Sequence, residues 1–403
     1  MMCQRLLSYL LLGLVATFLP FHSMAETNQE AAANFFPEAD RVEAMPGDPP
    51  AAGVYRDGEL IGLVFESVHY APIPAYSGKP VNMRIGLNSD GELVGGEILE
   101  HSEPIVLTGI PEADMDAFVD QYIGKSIHDR MRVGLSSRKR EGYDYVDAVS
   151  GATVTVVVMG DTIMRAARKA AVTHGLVEED AVDVREPATV KADTYEQADW
   201  DKLREQGAIS KLHLTRGEVD DAFEGTEAED VDTAPEGARN DTFINLYATY
   251  LNTPTTGRNL LGQEHYQQLM DRLDEGEHAI MLMADGRYSF KGTGFVRGGI
   301  FDRIQINQRD ASIQFRDKDL VRAPDFVLED APAISEKDIF IIREQNRFDP
   351  AALWELQLRV RRQYGALDST FVNFTLDHEP VKAWFDIPER RALSDESNQP
   401  LWV

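Results

Sequence analysis

The chain has 403 residues, 43% of them hydrophobic, and a formal net charge of −28. That length supports two or three domains with cores of their own, and that charge excludes nucleic-acid binding over a broad surface, which needs Lys and Arg against phosphates. The single cysteine, Cys3, leaves the body of the chain without disulfides or cysteine-ligated zinc or iron–sulfur sites.

Residues 1–25 read as an export signal. Arg5 supplies the positive region and Leu6 to Leu19 the apolar core, and Ser23-Met24-Ala25 fits the small-x-small rule for cleavage after Ala25. The apolar run is short for a membrane span, so removal is expected over retention as an anchor. Residues 26–50 are rich in Ala, Pro and acids, with Phe35-Phe36-Pro37 able to form a short docking segment.

A first α+β domain is expected over residues 50–180. Val54 to Phe65 predicts two strands around Asp57-Gly58, and Asn82 to Leu87 with Leu93 to Leu99 predicts a second hairpin around Asn88-Ser89-Asp90-Gly91. Asp114 to Ile123 predicts a helix, and Tyr145 to Val149 an extended entry to a turn. Val156 to Thr173 has helical spacing, with Val157, Met164, Ala167 and Ala171 on one face and Gly175 as the stop.

Residues 181–241 read as an acidic helical linker. Trp200, Leu203, Ala208, Ile209 and Leu212 give it a helical pattern. From 242 to 403 a β-rich, sandwich-like second domain is expected. A helix over Tyr266 to Leu273 precedes strands at Ala279 to Ala284, Ile300 to Ile306, Phe326 to Leu328, Ile339 to Arg343, Trp354 to Arg361 and Phe371 to Leu376.

The chemistry-bearing stretch is Ser150-Gly151-Ala152-Thr153-Val154-Thr155, directly ahead of the predicted helix. Small residues let a ligand approach the backbone, and a helix start offers unpaired N–H groups and the positive end of a dipole, which suits a phosphate. An ordinary N-cap at Ser150 or Thr153 explains one hydroxyl in a turn. It does not explain three hydroxyls and two small residues in this order. Upstream lie Ala75-Tyr76-Ser77-Gly78-Lys79-Pro80-Val81 and Glu100-His101-Ser102-Glu103-Pro104.

Other candidates are weaker. Gly292 to Gly299 is Gly-rich but lacks the spacing and following helix of a nucleotide loop, so a hairpin is expected there. The nine histidines show no metal-ligand spacing, and no G-x-S-x-G supports Ser-His-Asp catalysis. No catalytic or metal-binding residue is assigned. Arg359, Arg361 and Arg362 read as a solvated basic strand face.

The Ser150–Thr155 string resembles the S-G-A-T-x-T signature of covalently flavinylated FMN-binding domains, in which the last Thr carries FMN through its phosphate. The two upstream segments resemble the family's G-Y-S-G and E-H-x-E-T-P loops. Ala75 stands for the first Gly, Val81 for Ile, and the Thr of the second loop is missing. The resemblance implies FMN joined by a phosphoester to Thr155, with Ser150, Gly151, Ala152, Thr153, Tyr76, Ser77, Gly78 and Glu100 around it. An isolated Thr hydroxyl is a poor nucleophile and no adjacent base is evident in the sequence, so a separate flavin transferase of the ApbE type is implied as a partner.

The export signal, the FMN turn, the acidic connection and the β-rich module together are similar to the periplasmic part of the NosR family, regulators and electron donors of the nitrous-oxide reductase system. The likeness is strongest over 50–175. It implies an exported, periplasmic electron-transfer protein supporting nitrous-oxide reductase activity and expression in denitrification. It also implies a redox partner in that system, and membrane anchoring through segments absent from this chain. On that resemblance the sequence reads as the soluble part of a larger membrane flavo-iron–sulfur protein, with Pro400 to Val403 about where a membrane segment would start. Two alternatives remain open: the flavin subunit of an NqrC- or RnfG-type ion-pumping oxidoreductase, and a non-redox sensor or assembly module.

Overall fold

The computed structural model describes residues 31–388, apart from 106–108, 138, 178–186, 293–298, 309–310, 347 and 366–367. The export signal, the Gly-rich hairpin proposed around Gly292 to Gly299 and the Pro400 to Val403 end lie largely or wholly outside the described residues.

The first unit is built on a five-stranded antiparallel meander of β1 (Arg41–Ala44), β2 (Ala52–Arg56), β3 (Glu59–Glu66), β4 (Asn82–Asn88) and β5 (Leu93–Glu100). Asp57 and Gly58 both take positive φ, 52° and 88°, the geometry of the tight turn whose twist matches paired strands. One face of this sheet is lined with glycine. A Cβ on Gly62 would lie 2.4 Å from the Phe36 ring, and one on Gly95 2.1 Å from Phe35. The Phe35-Phe36 segment therefore docks on its own domain, and the unit begins before residue 50.

The opposite face packs on two helices, Glu112–Asp120 and Thr153–Thr173. The second starts three residues before the expected Val156. Its β-branched run is poor in helix propensity, but burial decides: Val156, Met159, Ile163, Ala166 and Ala170 recur at three- and four-residue intervals and are at most 2% exposed. The face expected to hold Val157, Met164, Ala167 and Ala171 is buried too, with Met164, Ala167 and Ala171 in the same core.

Three short strands follow the Glu112–Asp120 helix: β6 (Met131–Val133), β7 (Leu135–Ser136) and β8 (Asp144–Val146). β6 and β8 pair in parallel. After the Thr153–Thr173 helix comes β9 (Thr189–Val190), which pairs with β19 (Phe385–Asp386) near the C-terminal end of the described chain.

The second unit is a sandwich of two five-stranded sheets. One has the order β10 (Ile209–Thr215), β11 (Thr242–Tyr250), β12 (His278–Gly286), β16 (Glu336–Ile342) and β15 (Leu320–Arg322). The other runs β14 (Ala311–Ile313), β13 (Ile304–Gln308), β17 (Trp354–Gln363), β18 (Ser369–His378) and then β7, contributed by the first unit. Ile244, Leu246, Ile280, Leu282, Ile306, Leu356, Leu358 and Phe374 form the core between the sheets.

Two expectations are corrected here. The segment read as a helical linker is helix, strand and helix: Trp200–Glu205, β10 and Arg216–Ala222. β10 pairs along its length with β11, so it belongs to the sandwich, and Trp200 and Leu203 are core residues. Phe326 to Leu328 is not a strand but lies against the Pro254–Arg272 helix, where the Val327 N–H donates to the Leu260 carbonyl at 3.2 Å.

Candidate functional site

The three chemistry-bearing segments converge. Thr155, the third residue of the Thr153–Thr173 helix, is only 3% exposed, and its Oγ1 donates to Glu103 Oε2. The other oxygen of the same carboxylate, Glu103 Oε1, accepts the Ser77 N–H at 2.8 Å. Glu103 is itself buried, and its amide donates to His101 Nδ1 at 3.2 Å, fixing the backbone that presents it. Glu103 therefore joins the loop carrying Tyr76, Ser77 and Gly78 to the helix carrying Thr155.

Each loop is shaped for this meeting. Between Ala75 and Lys79 the chain closes on itself: Ala75 N–H donates to Lys79 O at 2.9 Å and Gly78 N–H to Ala75 O at 3.0 Å, with Gly78 at φ 85°. Tyr76 is half-buried and Ser77 and Gly78 are exposed. Gly151 has φ 79°, and a Cβ there would also approach Ile110 Cδ1 to 3.1 Å. That turn delivers Ala152, buried, as the N-cap of the helix.

Neither Ser150 nor Thr153 caps the helix. The N-cap is Ala152, without a side-chain cap bond, and the first turn holds no acidic residue. Thr153 is the first helical residue and is half-buried. Ser150 instead bonds to the second unit, its Oγ donating to Ser369 O at 2.9 Å.

Glu100 stands apart from where the three segments converge. It ends β5, exposed and opposite Asn82, and among the described residues it has no bond to the turn. The acid brought to Thr155 is Glu103, three positions on. The basic strand face is corrected. Arg359 and Arg362 are buried, Arg359 donating to Asp302 O and Arg362 to Asp220 Oδ1. Only Arg361 is exposed. Burial holds the Arg359 guanidinium pKa down at about 10.

The set fits the phosphate end of a flavin nucleotide. It has an uncapped start of a 21-residue helix, a hydroxyl in its first turn and two loops with glycine at positive φ, while the Glu103 carboxylate serves the hydroxyl rather than the phosphate. Among the described residues no group of three His, Cys, Asp or Glu could hold a metal ion, and no helix is long and apolar enough to cross a membrane.

The second unit presses on this domain through the polar face of its β14–β13–β17–β18 sheet. Alternation along β13 and β17 sends Ile306, Leu356 and Leu358 into the sandwich and Asn307, Glu355 and Gln357 toward the first unit. There Arg140 bridges Glu355 at 2.8 Å and Asp377 at 2.6 Å. Asp161 Oδ2 accepts the Ser312 N–H at 2.9 Å beside a small, partly open cavity of about 30 Å³. Burial pushes the Asp161 carboxyl up to about 6, against the opposing pull of Arg165, the Ser312 amide and Arg132. A larger open cleft, lined by Tyr250, Arg258, Tyr266, His278 and Arg343 among others, includes none of the residues around Thr155.

The FMN-binding domain family matches residues 76–168, from Tyr76 past Thr155. The chain is 47% identical to the regulatory protein NosR of Stutzerimonas stutzeri over 379 residues, covering 93% of this chain and 52% of that protein. It is 41% identical to NosR of Pseudomonas aeruginosa, covering 94% and 53%. The protein NirI of Paracoccus denitrificans is 30% identical, covering 88% and 48%. The chain thus spans about half the length of these curated relatives. With an FMN-binding domain converging on Thr155 and likeness to NosR running on through the sandwich, the chain belongs to the NosR family.

Proposed function

We propose that this chain carries FMN covalently, as a phosphoester on Thr155, and works on the exported side of the membrane as an electron relay supporting nitrous-oxide reductase. The observation that carries the reading is the bond from Thr155 Oγ1 to Glu103, inside the span that matches the FMN-binding domain. A Thr hydroxyl needs a base to act as a nucleophile, and Glu103 is placed to accept its proton as Oγ1 is esterified. That base was not evident from the sequence. The uncapped helix start, with its free N–H groups, would hold the phosphate.

When bound, FMN supplies one- or two-electron transfer. The protein's share is to fix the phosphate, to exclude water around Thr155 and to set the charge nearby. Because Thr155 is buried, the flavin nucleotide must reach Oγ1 from the side that Glu103 does not occupy, with the carboxylate kept on the hydroxyl. A flavin transferase of the ApbE type delivers the activated flavin nucleotide, and Oγ1 bonds to its phosphorus as the activating group leaves.

The likeness to NosR through the sandwich supports this reading over an NqrC- or RnfG-type subunit, whose resemblance rests on the flavin domain alone. The test is intact mass and peptide mapping of exported protein co-produced with a flavin transferase. A gain of FMN minus water on the Thr155 peptide is the expected result. An unmodified mass, with the transferase active on a control substrate, sinks the covalent reading and favours a non-redox sensor or assembly module.

A further inference from the structure

The sandwich does more than cover the flavin domain. Arg316 follows β14 and lies far outside the 76–168 span that matches the FMN-binding domain. Its Nη2 donates to the Ala75 carbonyl at 2.6 Å. Its Nη1 lies 3.4 Å from the point a Cβ on Gly78 would occupy. The guanidinium thus rests on the loop whose Ser77 N–H holds Glu103, and through Glu103, Thr155. Ser369 grips the other side of the site, taking the Ser150 hydroxyl on its carbonyl and returning its own N–H to Ser150 Oγ at 3.3 Å.

The charge on Arg316 is unmatched. Arg84, Arg140, Arg343 and Arg362 each hold a carboxylate. Among the described residues no carboxylate lies within ion-pair distance of the Arg316 guanidinium. Its backbone N–H uses Asp319 Oδ2, but the other oxygen of Asp319 is taken by Arg343. In a chain of net charge −28, a half-buried guanidinium left on one neutral carbonyl is poorly compensated until an anion arrives.

We infer that Arg316 is the cation which the second domain supplies to the bound flavin nucleotide, so that the cofactor site is complete only when the two units are docked. This rests on the reading that Thr155 carries FMN. Reduction adds negative charge to a flavin, and a fixed cation nearby favours the reduced form. Arg316 should therefore raise the flavin's midpoint potential.

The test uses the whole exported chain loaded by a flavin transferase, as wild type, Arg316→Lys and Arg316→Gln. Each is followed by intact mass, thermal melting and spectroelectrochemical titration. The expected result is a potential shifted to more negative values in R316Q and restored toward wild type in R316K, with melting unchanged. Loss of flavin in R316Q that R316K restores supports the same role more strongly. A labelled R316Q with the wild-type potential overturns the inference alone, as does any effect shared equally by the Lys and Gln variants, which points to packing rather than charge. A wild type without flavin overturns the covalent reading first and this inference with it.

Discussion

Glu103 and Thr155 stand 52 positions apart and share one proton, the Thr155 hydroxyl donating into a carboxylate whose other oxygen is held by the Ser77 amide. Remove the hydroxyl and the carboxylate keeps its second donor. Thr155→Val is therefore expected to fold, losing about 1.5–3 kcal/mol for a hydrogen bond to a carboxylate, while the flavin label disappears. Intact mass and a melting curve check both halves, and a still-labelled variant would move the attachment site elsewhere.

Glu103→Gln separates holding from proton transfer. The amide oxygen can still accept the Ser77 N–H, but the side chain can no longer take the Thr155 proton. General bases typically contribute ~10²–10⁴ in rate, so labelling should slow at least about tenfold at unchanged melting temperature. A mass time course with a fixed amount of transferase gives the answer, and an unaltered rate would leave Glu103 a purely structural acceptor.

Asp161 links stability to pH. Its carboxyl is raised to about 6 in the fold, chiefly by burial, so the folded state holds a proton that the unfolded chain releases between about pH 4 and 6. Stability from this group falls as pH rises through that window and stays reduced above it. Asp161→Asn keeps an oxygen for the Ser312 N–H and removes the buried charge. It should raise the melting temperature in full above pH 6, with the gain fading to nothing near pH 4. A pH-independent gain would put its origin elsewhere.

Arg140 is the bridge whose loss should loosen the two units. Glu355 is 5% exposed and would keep Asn307 at 2.9 Å but only a distant Arg132 at 3.8 Å. Arg140 itself is about a third exposed, so Arg140→Ala is expected to cost about 1–2 kcal/mol. Urea unfolding and limited proteolysis between the units measure it. Unchanged proteolysis would show that the remaining polar contacts suffice.

What the sequence revealed follows from which signals are local. The hairpin at Asp57-Gly58 is legible because two successive positive φ angles demand such residues. Ile209–Thr215 was not, because Leu203, Ala208, Ile209 and Leu212 also fit a helical period, and pairing with β11 overrides it. The three site segments stand out as strings. Yet Glu100 and Glu103 lie in a stretch with no period to tell which acid turns inward. Arg316 meets Ala75 across 241 positions, and no local pattern announces such a contact. Arg359 and Arg362 looked solvated because a strand's alternation does not show that both of its faces are covered.

The parallel pairing of Leu135 and Ser136 with Val372 and Asn373 stitches the first unit into the edge of the sandwich. With Ser150, Asp161 and Arg140 anchored on the same side, the turn bearing Thr155 is mounted on a rigid block rather than on a hinge. If FMN is joined to Thr155 as proposed, it would be no swinging arm carrying electrons between distant stations. Under that reading, an electron donor and acceptor would each have to dock within tunnelling reach of one stationary point.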